Sequence, residues 1–347
     1  MAEGTVRIGI IGAGGIFRSR HFPGLAKVEA AQVVAICNRS EESGQKVVSE
    51  NGFDADVMTD PYALVGRDDI DAVMIGTWPY KHCEYVMASL DAGKHTFVQA
   101  RMAMNLRDAK AMYAKSQETD RVTQICPAPP WKGGRFLKRL VQEGYLGDLY
   151  NLYVWSPSDR CADPNRPLHW RDVDRYSGLN ILGMGITVER VHRVFGYLET
   201  VSAQTEIFNK ERPLSDGSGT GPVERPDMIH AMGQMENGAQ AAFLFSGVAR
   251  FGEGSRIEAY GSEGTLIYDL DNDTVRGGKA GDDGLKELPI PEDEVAEWTV
   301  EEDFIGAIQG GPQGDTSFYE GVKYMEFTEA VSRSVEQGRT VHLPLVD

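Results

Sequence analysis

Short apolar runs separated by helix-compatible segments fill the first third of the chain. Residues 7–11 and 32–37 are aliphatic and rich in β-branched side chains, a pattern typical of parallel strands buried on both faces. Residues 70–75, 95–98 and 122–126 repeat it, and helical periodicity returns between them. Alternation of this kind predicts a doubly wound α/β sheet.

The pattern changes after residue 148. Residues 149–155 alternate apolar and polar positions, as a half-buried strand does. Similar runs and turn residues follow, so we expect a C-terminal α+β domain with an open, mostly antiparallel sheet. The expected strands are 200–208, 227–235, 239–246, 256–261, 265–270 and 339–343, the helices are 178–195, 301–309 and 318–337, and the loops are 156–177, 210–225 and 277–291. We assign residues 1–127 to the first domain and 128–347 to the second, with the last helix free to pack back on the first.

A glycine-rich turn directly follows the first strand. A strand, a glycine turn, a helix and a second strand form the unit that binds dinucleotides, with the pyrophosphate at the helix N-terminus. Gly12 permits the tight turn and Gly14 lets the backbone approach the phosphates, while Phe17 occupies the third glycine position. An ordinary α/β glycine turn is the alternative. The candidate cofactor contacts here are Gly12, Gly14, Gly15, Ile16 and Phe17.

The second strand ends in Asn38-Arg39-Ser40. An acid at this position binds the ribose 2′-hydroxyl of NAD, whereas small polar residues with an arginine suit the 2′-phosphate of NADP. A guanidinium and two neutral polar side chains match a phosphate better than a hydroxyl, which favours NADP over NAD. The alternative is an Arg39 that is solvated or stacks on adenine, which is compatible with either cofactor.

Two more loops follow strands of the first domain. In open α/β sheets the loops after the strand C-termini line the ligand crevice, so we expect both near the nicotinamide end of the dinucleotide. The candidate cofactor residues in and after these loops are Thr77, Trp78, Pro79, His82, Gln99, Ala100 and Arg101.

Charge and cysteine content exclude several classes of function. The 347 residues carry a net charge of −17, which argues against nucleic acid or anionic membrane as the main partner. No apolar run approaches the roughly 20 residues of a transmembrane helix. The four cysteines lie far apart without CxxC spacing, so we expect a reducing, cytoplasmic compartment and no metal site.

The chain resembles the Gfo/Idh/MocA family of oxidoreductases, which act on sugars, cyclitols and related polyols. The resemblance rests on the glycine turn, on Thr77 followed by His82, on the Asp91-Ala92-Gly93-Lys94-His95 run, on residues 144–149, and on Trp170-Arg171 before a long helix. It implies a Rossmann domain, a substrate domain and a nicotinamide cofactor.

The same resemblance exposes departures at the catalytic positions. The family's Glu-Lys-Pro after the fifth strand is Gln99-Ala100-Arg101 here, and Arg101 can orient an oxygen or stabilise an oxyanion but is a poor base. Gly183 and Thr187 stand where the family has an aspartate and, one helical turn later, a histidine. Gln99 can still bind a ribose.

The second domain carries the candidate substrate contacts. The polar segment 156–177 is long for a loop in a compact domain, and such loops are often functional; the alternative is a surface loop with exchangeable ion pairs. His169, Tyr176, Thr187 or an ordered water would manage the proton. His192 lies about 140° from Thr187 around a helix, so we interpret it as a packed or capping residue. The candidate substrate contacts are Trp170, Arg171, Asn180, Gly183, Thr187 and Arg190.

These features predict an NAD(P)-dependent oxidoreductase that moves hydride to or from a sugar, cyclitol or sugar-acid carbon. The nicotinamide would lie against residues 99–101 and face the turn at 183–187. One alternative is a redox-neutral glycosidase or lyase that oxidises its sugar transiently, and another is a non-catalytic dinucleotide- or sugar-binding regulator. We also expect a homodimer or homotetramer formed through the C-terminal sheet, because an open sheet face tends to be covered by a second copy. The face of Ala241, Phe243 and Phe245 is the candidate contact, and core packing of that face against the helices is the alternative.

Overall fold

The computed structural model describes residues 4–314 and 316–346. Its contacts divide the chain into two compact units, 1–127 with 298–325 and 128–297 with 326–347. The segment 298–325, which the sequence analysis assigned to the second domain, is therefore grouped with the first unit.

The first unit contains a parallel sheet in the order β3-β2-β1-β4-β5-β6, the order of dinucleotide-binding folds. The doubly wound α/β sheet expected from the apolar runs is confirmed. Of these strands, the short β3 alone was not predicted from the apolar runs. The strands are β1 (Val6–Ile11), β2 (Ala31–Cys37), β3 (Asp56–Met58), β4 (Ala72–Ile75), β5 (His95–Val98) and β6 (Thr123–Ile125).

Side-chain caps begin three helices of this unit. Ser40, Asp60 and Asn105 each accept a hydrogen bond from a backbone N–H in the first turn of the following helix, which satisfies a donor that the helix cannot pair. The helices are α1 (Phe22–Leu25), α2 (Glu41–Asn51), α3 (Pro61–Val65), α4 (His82–Asp91), α5 (Leu106–Ser116) and α9 (Val300–Ile308), joined by the first turns of α10 (Phe318–Gln337).

The helix α9 contributes to the core of the first unit. Phe304 and Ile305 are buried in the same apolar cluster as Ile8 and Ile10 of the central strand, and the Phe304 ring lies 5.7 Å from that of Phe97. Burial of this apolar face explains why a segment so late in the sequence belongs to the first unit.

The second unit is built on a sheet in the order β16-β15-β14-β13-β7-β12-β11-β8-β17. The strands β7 and β12 pair in parallel, and the other pairings given for this sheet are antiparallel, so the mostly antiparallel sheet is confirmed. The strands are β7 (Leu149–Pro157), β8 (Thr200–Glu206), β11 (Met228–Gln234), β12 (Gln240–Ser246), β13 (Arg256–Gly261), β14 (Gly264–Asp269), β15 (Thr274–Lys279), β16 (Lys286–Leu288) and β17 (Val341–His342); β9 (Glu211–Pro213) and β10 (Thr220–Pro222) form a separate hairpin.

Two segments expected to be loops contain strands, so those expectations were wrong. Residues 210–225 hold the β9–β10 hairpin, and 277–291 overlap β15 and include β16. The glycines of β15 made this segment resemble a loop in the sequence. In the structure, a Cβ at Gly277 would lie 2.7 Å from Leu288 and from the hydroxyl of Tyr145. Close packing, not flexibility, requires glycine there.

The helices of the second unit are α6 (Gly134–Gln142), α7 (Asp174–Ser177), α8 (Met184–Phe195) and the end of α10. The helix expected over 178–195 begins later, because Gly178, Leu182 and Gly183 have φ values of +64°, +51° and +74° that interrupt a right-handed helix. Phe243 and Phe245 of β12 are fully buried, and the Phe243 ring lies 5.2 Å from Phe327 of α10. No helix within the described ranges is long and apolar enough to span a membrane.

Candidate functional site

The glycine turn after β1 is shaped by close backbone contacts. Gly12 has φ +82°, and a Cβ there would lie 2.8 Å from Cγ2 and 2.9 Å from the backbone nitrogen of Thr77. Its own N–H donates to the Cys37 carbonyl over 2.8 Å. Around Gly15 there is nothing within 4 Å of a hypothetical Cβ, and around Gly14 only the Gly12 carbonyl at 3.9 Å. The turn is therefore closed toward the sheet and open on the side where a phosphate would approach.

Phe17 explains why the third glycine of the fingerprint is dispensable. Its side chain is completely buried, and a Cβ on Gly76 of the neighbouring loop would collide with its ring. The glycine that permits close packing of the helix therefore lies in the loop after β4, at Gly76, instead of in the helix. Phe17 is thus a core side chain, and any contact it makes to a cofactor comes from its backbone, whereas Ile16 is exposed.

The end of β2 is linked to the glycine turn. The Asn38 side-chain oxygen accepts from the Ala13 N–H over 2.9 Å, and the Ser40 hydroxyl accepts from Ser43 N–H as the cap of α2. The exposed Arg39 places its guanidinium 6.0 Å from the centre of the Trp78 ring. Arg39 is thus the charged residue of the three, and it is exposed.

His82 joins the two loops after β4 and β5. Its ring is fully buried, with Nδ1 2.7 Å from the Arg101 carbonyl and Nε2 2.9 Å from the Thr77 carbonyl. Burial lowers its pKa, since the charged ring would be desolvated. The candidate role of His82 as a cofactor contact is corrected by this geometry, because both ring nitrogens face backbone carbonyls.

Thr77 presents a polar atom without a protein partner. Its Oγ1 is buried and makes no hydrogen bond to any described residue, although its methyl group packs beside Gly12. A buried unpaired hydroxyl is costly unless a ligand satisfies it. The neighbouring Pro79 is buried and begins a short 3₁₀ turn, so its part is structural. An open glycine turn beside an unpaired hydroxyl suits a dinucleotide.

The loop after β5 contains Gln99, Ala100 and Arg101, and the Ala100–Arg101 peptide bond is cis. The Gln99 N–H donates to the Ile75 carbonyl over 2.9 Å, and its side-chain nitrogen lies against Nε2 of His21. The other ring nitrogen of His21 contacts the Glu301 carboxylate. The next residue after Arg101, Met102, donates its N–H to the Tyr324 hydroxyl over 2.6 Å.

The start of α8 carries the residues expected to face a substrate. Gly183 is the N-cap residue, and its carbonyl accepts from the Thr187 N–H over 3.0 Å, so the two stand one turn apart as predicted. The Asn180 side-chain oxygen accepts from Gly185 N–H over 2.8 Å. Its side-chain nitrogen is buried without a hydrogen-bond partner in the described ranges. Asn180 therefore holds the start of α8 through its side-chain oxygen.

Arg190 and Glu189 of α8 hold the proline-rich segment that follows residue 127. The Arg190 guanidinium lies 5.2 Å from the Trp131 ring centre and donates to the Pro129 carbonyl, and its burial lowers its pKa to about 10. Glu189 accepts from Ala128 N–H over 2.8 Å. Arg190, expected to contact substrate, is thus engaged with this segment. His192 packs edge-on against Tyr197 at 4.9 Å, which confirms its packed role.

The segment 156–177 contains a short 3₁₀ helix, Trp170–Asp172, capped by His169. The Nδ1 of His169 accepts from Arg171 N–H over 3.2 Å; burial, followed by the charge of Arg171, lowers the pKa of this histidine. The Arg171 guanidinium lies 4.2 Å from the Trp170 ring centre. The Arg175 guanidinium lies 4.6 Å from the ring centre of Tyr176.

Comparison with known families now decides the assignment. Residues 6–126 match the model of the oxidoreductase family with an NAD-binding Rossmann fold, and residues 135–267 match the GFO/IDH/MocA C-terminal domain. The chain belongs to the Gfo/Idh/MocA family. The resemblance seen in its motifs is thereby confirmed, and so is its assignment as an oxidoreductase with an NAD-binding first domain.

Relatives of this Gfo/Idh/MocA protein include named dehydrogenases. It is 25% identical to the levoglucosan dehydrogenase of Pseudarthrobacter phenanthrenivorans, over 90% of this chain and 89% of that protein. It is 30% identical to an inositol 2-dehydrogenase/D-chiro-inositol 3-dehydrogenase of Halalkalibacterium halodurans, over 46% of this chain and 45% of that one. A levoglucosan dehydrogenase solved with NADH and L-sorbose shares the fold, with a TM-score of 0.88, 23% identity and coverage of 99% and 100% of the two chains.

Several residues of this Gfo/Idh/MocA site were missed by the sequence analysis. His21 and Glu301 contact each other although 280 positions separate them, and Glu189 lay unassigned on an apolar helix. No periodicity or spacing signals a contact of such range. The one local signal was the spacing of His21 four residues after Phe17, which places both side chains on one helix face and indicates that His21 is buried beside Phe17.

Proposed function

We propose that this protein is an NAD(P)-dependent oxidoreductase that transfers hydride to or from a hydroxyl-bearing carbon of a sugar, cyclitol or sugar acid. The observation that carries the proposal is the glycine turn, which is tight against Thr77 on one side and open on the other, beside the unpaired Thr77 hydroxyl. The names of the relatives also support the proposal, since they include levoglucosan and inositol dehydrogenases.

The cofactor would be held by residues of the first unit. The backbone at Gly12, Gly14 and Gly15 would receive the pyrophosphate, and Thr77 and Gln99 would contact the ribose of the nicotinamide half. When bound, the nicotinamide ring accepts or donates the hydride. Arg101 would donate hydrogen bonds to the reacting oxygen, which stabilises the negative charge that develops as the hydroxyl loses its proton.

Alcohol oxidation also releases the hydroxyl proton, and Arg101 stays protonated at ordinary pH. The lone pair of neutral His169 is at Nδ1, which accepts from Arg171 N–H, so Nε2–H remains as a donor. His169 therefore suits delivery of a proton or a hydrogen bond better than removal of one. Tyr176, Thr187 or an ordered water would take the proton in the oxidative direction.

The second unit would bind the polyhydroxylated substrate. Trp170 offers a flat apolar face of the kind that stacks on sugar rings, and Arg171 and Asn180 offer donors for hydroxyl or carboxylate oxygens. The half-buried face of the sheet that includes Trp155 and Leu244 would form the contact in a homodimer or homotetramer, which light scattering of the purified protein tests. A cytoplasmic location is part of the same proposal.

The cofactor preference we propose is NADP. The supporting feature is the exposed guanidinium of Arg39 beside Ser40, with no acid among residues 38–40 to repel a 2′-phosphate. Arg39→Ala should weaken NADP binding about tenfold or more, since a charged hydrogen bond contributes about 1.5–3 kcal/mol, and should change NAD binding little. Titration with both cofactors measures this; equal losses for NAD and NADP would assign Arg39 to adenine stacking instead.

A substrate panel tests the central proposal. Polyols, aldoses, sugar acids and glycosides are incubated with NAD or NADP, while absorbance at the nicotinamide band and the products are followed. We expect a stoichiometric absorbance change with at least one class. A purified protein that binds neither dinucleotide would refute the proposal.

Arg101 is tested on the active substrate. Arg101→Ala should lower turnover about 100-fold or more, as loss of an oxyanion donor does, with dinucleotide affinity nearly unchanged. Arg101→Lys, which restores the residue typical of the family, is the matched control and should retain activity. Full turnover in Arg101→Ala would remove the proposed role.

The second candidate is a redox-neutral enzyme or a non-catalytic regulator. The observation that favours it is the presence of Gly183 and Thr187 where the family carries an aspartate and a histidine. Product formation without a net absorbance change would support the redox-neutral enzyme. Dinucleotide binding without turnover on any substrate class would support the regulator.

A further inference from the structure

A chain of buried polar side chains leads from the core of the first unit to the loop after β5. The Gln99 amide nitrogen faces Nε2 of His21, and Nδ1 of His21 faces one carboxylate oxygen of Glu301. The other oxygen of Glu301 accepts from the indole N–H of Trp298 over 2.8 Å. His21 and Glu301 are 0% and 1% exposed, so water does not compete for these contacts.

The surrounding structure is built to admit this carboxylate and ring. A Cβ on Gly24 of α1 would collide with the Glu301 carboxylate, so any larger residue at that position must displace the carboxylate. The His21 ring packs 4.7 Å from Phe17 and 5.3 Å from Phe97, at the end of a π-helical segment, Phe17–His21. Such segments recur at functional sites.

The partners of His21 determine where its hydrogens lie. A carboxylate only accepts hydrogen bonds, so Nδ1 donates to Glu301. An amide nitrogen only donates, so Nε2 accepts from Gln99. This tautomer leaves the carbonyl oxygen of Gln99 as the group that can accept from a ligand hydroxyl.

We propose that His21 and Glu301 are positioning residues that hold the Gln99 amide with its nitrogen inward and its carbonyl oxygen toward the nicotinamide-side ribose of the bound dinucleotide. The proposal rests on the proposed function, because it needs a dinucleotide at the loop after β5. A carboxylate at position 99 requires a proton on Nε2, whereas an amide supplies its own.

Binding measurements with two nucleotides test the proposal. NADH contains the nicotinamide-side ribose, whereas ADP contains the adenosine and pyrophosphate alone. In Glu301→Gln we expect the Kd for NADH to rise about tenfold, the effect of one misdirected hydrogen bond, and the Kd for ADP to stay within about twofold. Trp298→Phe is the matched control, because it removes the other hydrogen bond of Glu301 and leaves the His21–Gln99 link; both constants should stay near those of the unaltered protein.

The outcomes separate this inference from the proposed function. If the unaltered protein binds none of NADH, NADPH and ADP, the proposed function fails. If it binds NADH and ADP and Glu301→Gln weakens both equally or neither, the positioning role is wrong while the function stands.

Nitrogen-15 NMR of the histidine rings tests the geometry without any nucleotide. We expect His21, assigned by its loss in His21→Gln, to show a protonated Nδ1 and an unprotonated Nε2. In Gln99→Glu both nitrogens should become protonated, because the ring then lies between two carboxylates. A protonated Nε2 in the unaltered protein would mean that the Gln99 carbonyl oxygen, not its nitrogen, faces His21, which would overturn the proposal. This test does not depend on whether Glu301→Gln folds.

Discussion

Single residues determine how closely the glycine turn after β1 and the loop after β4 can approach each other. Gly12 touches the loop after β4, Gly76 makes room for Phe17, and Thr77 leaves its hydroxyl unpaired beside them. The fingerprint glycine that Phe17 replaces is thus compensated across the turn. What matters physically is the space between helix and loop, which either partner can provide.

Gly12 and Gly14 of the turn should respond differently to a methyl group. Gly12→Ala places a Cβ 2.8 Å from Thr77 and forces alanine into a left-handed conformation that costs about 1–2 kcal/mol by itself, so the free energy of unfolding and NAD(P) affinity should both fall. Gly14→Ala meets no close atom, so it should keep the stability and lose affinity, because its methyl group would occupy the space proposed for phosphate. Denaturant unfolding and dinucleotide titration measure the two effects. A Gly12→Ala protein as stable as the original would contradict the geometry.

At the scale of elements, helices α1 and α9 pack against each other with Gly24 at the closest approach. Gly24 lies where the Glu301 carboxylate needs space, and that carboxylate binds His21 at the end of the preceding π-helical segment. The contact therefore links an early helix to one that follows almost 280 residues later.

Two helix glycines provide a matched pair. Gly24→Ala should lower the free energy of unfolding by about 1–3 kcal/mol, since it displaces a buried, hydrogen-bonded carboxylate. Gly306→Ala in α9 has open space around the added Cβ and should raise it by about 0.5–1 kcal/mol, because alanine is the better helix former. Urea titrations of both variants compare them directly. Equal effects of one sign would show that the Gly24–Glu301 contact contributes nothing.

Local patterns predicted the elements well where periodicity and caps agree. The strand His95–Val98 and the long helix Phe318–Gln337 were predicted with the bounds that the structure has. The predicted start of α8 was wrong because three residues with positive φ values precede the helix. The site was predicted only in its local parts: the glycine turn could be recognised, but the His21–Glu301 contact could not, since it depends on the tertiary fold.

At the scale of the whole molecule, the first unit is discontinuous in sequence. Residues 1–127 supply the parallel sheet, and 298–325 return to it after the whole intervening part of the second unit. The returning segment brings Phe304 and Ile305 into the core, Glu301 to His21 and Tyr324 to Met102. Without it, the sheet would expose the apolar surface that α9 covers and would lose the network behind Gln99.

This discontinuity predicts how fragments behave. Residues 1–127 alone should fail to show a cooperative unfolding transition, whereas the same residues joined by a flexible linker to 298–325 should unfold cooperatively and bind ADP. Phe304→Ala in the fusion is the matched control and should cost about 3–5 kcal/mol, because it leaves a cavity in the core. Circular dichroism during urea titration and ADP titration measure the outcome. If residues 1–127 alone unfold with the same midpoint as the fusion, then α9 adds nothing to the unit, and Glu301 cannot be part of its core.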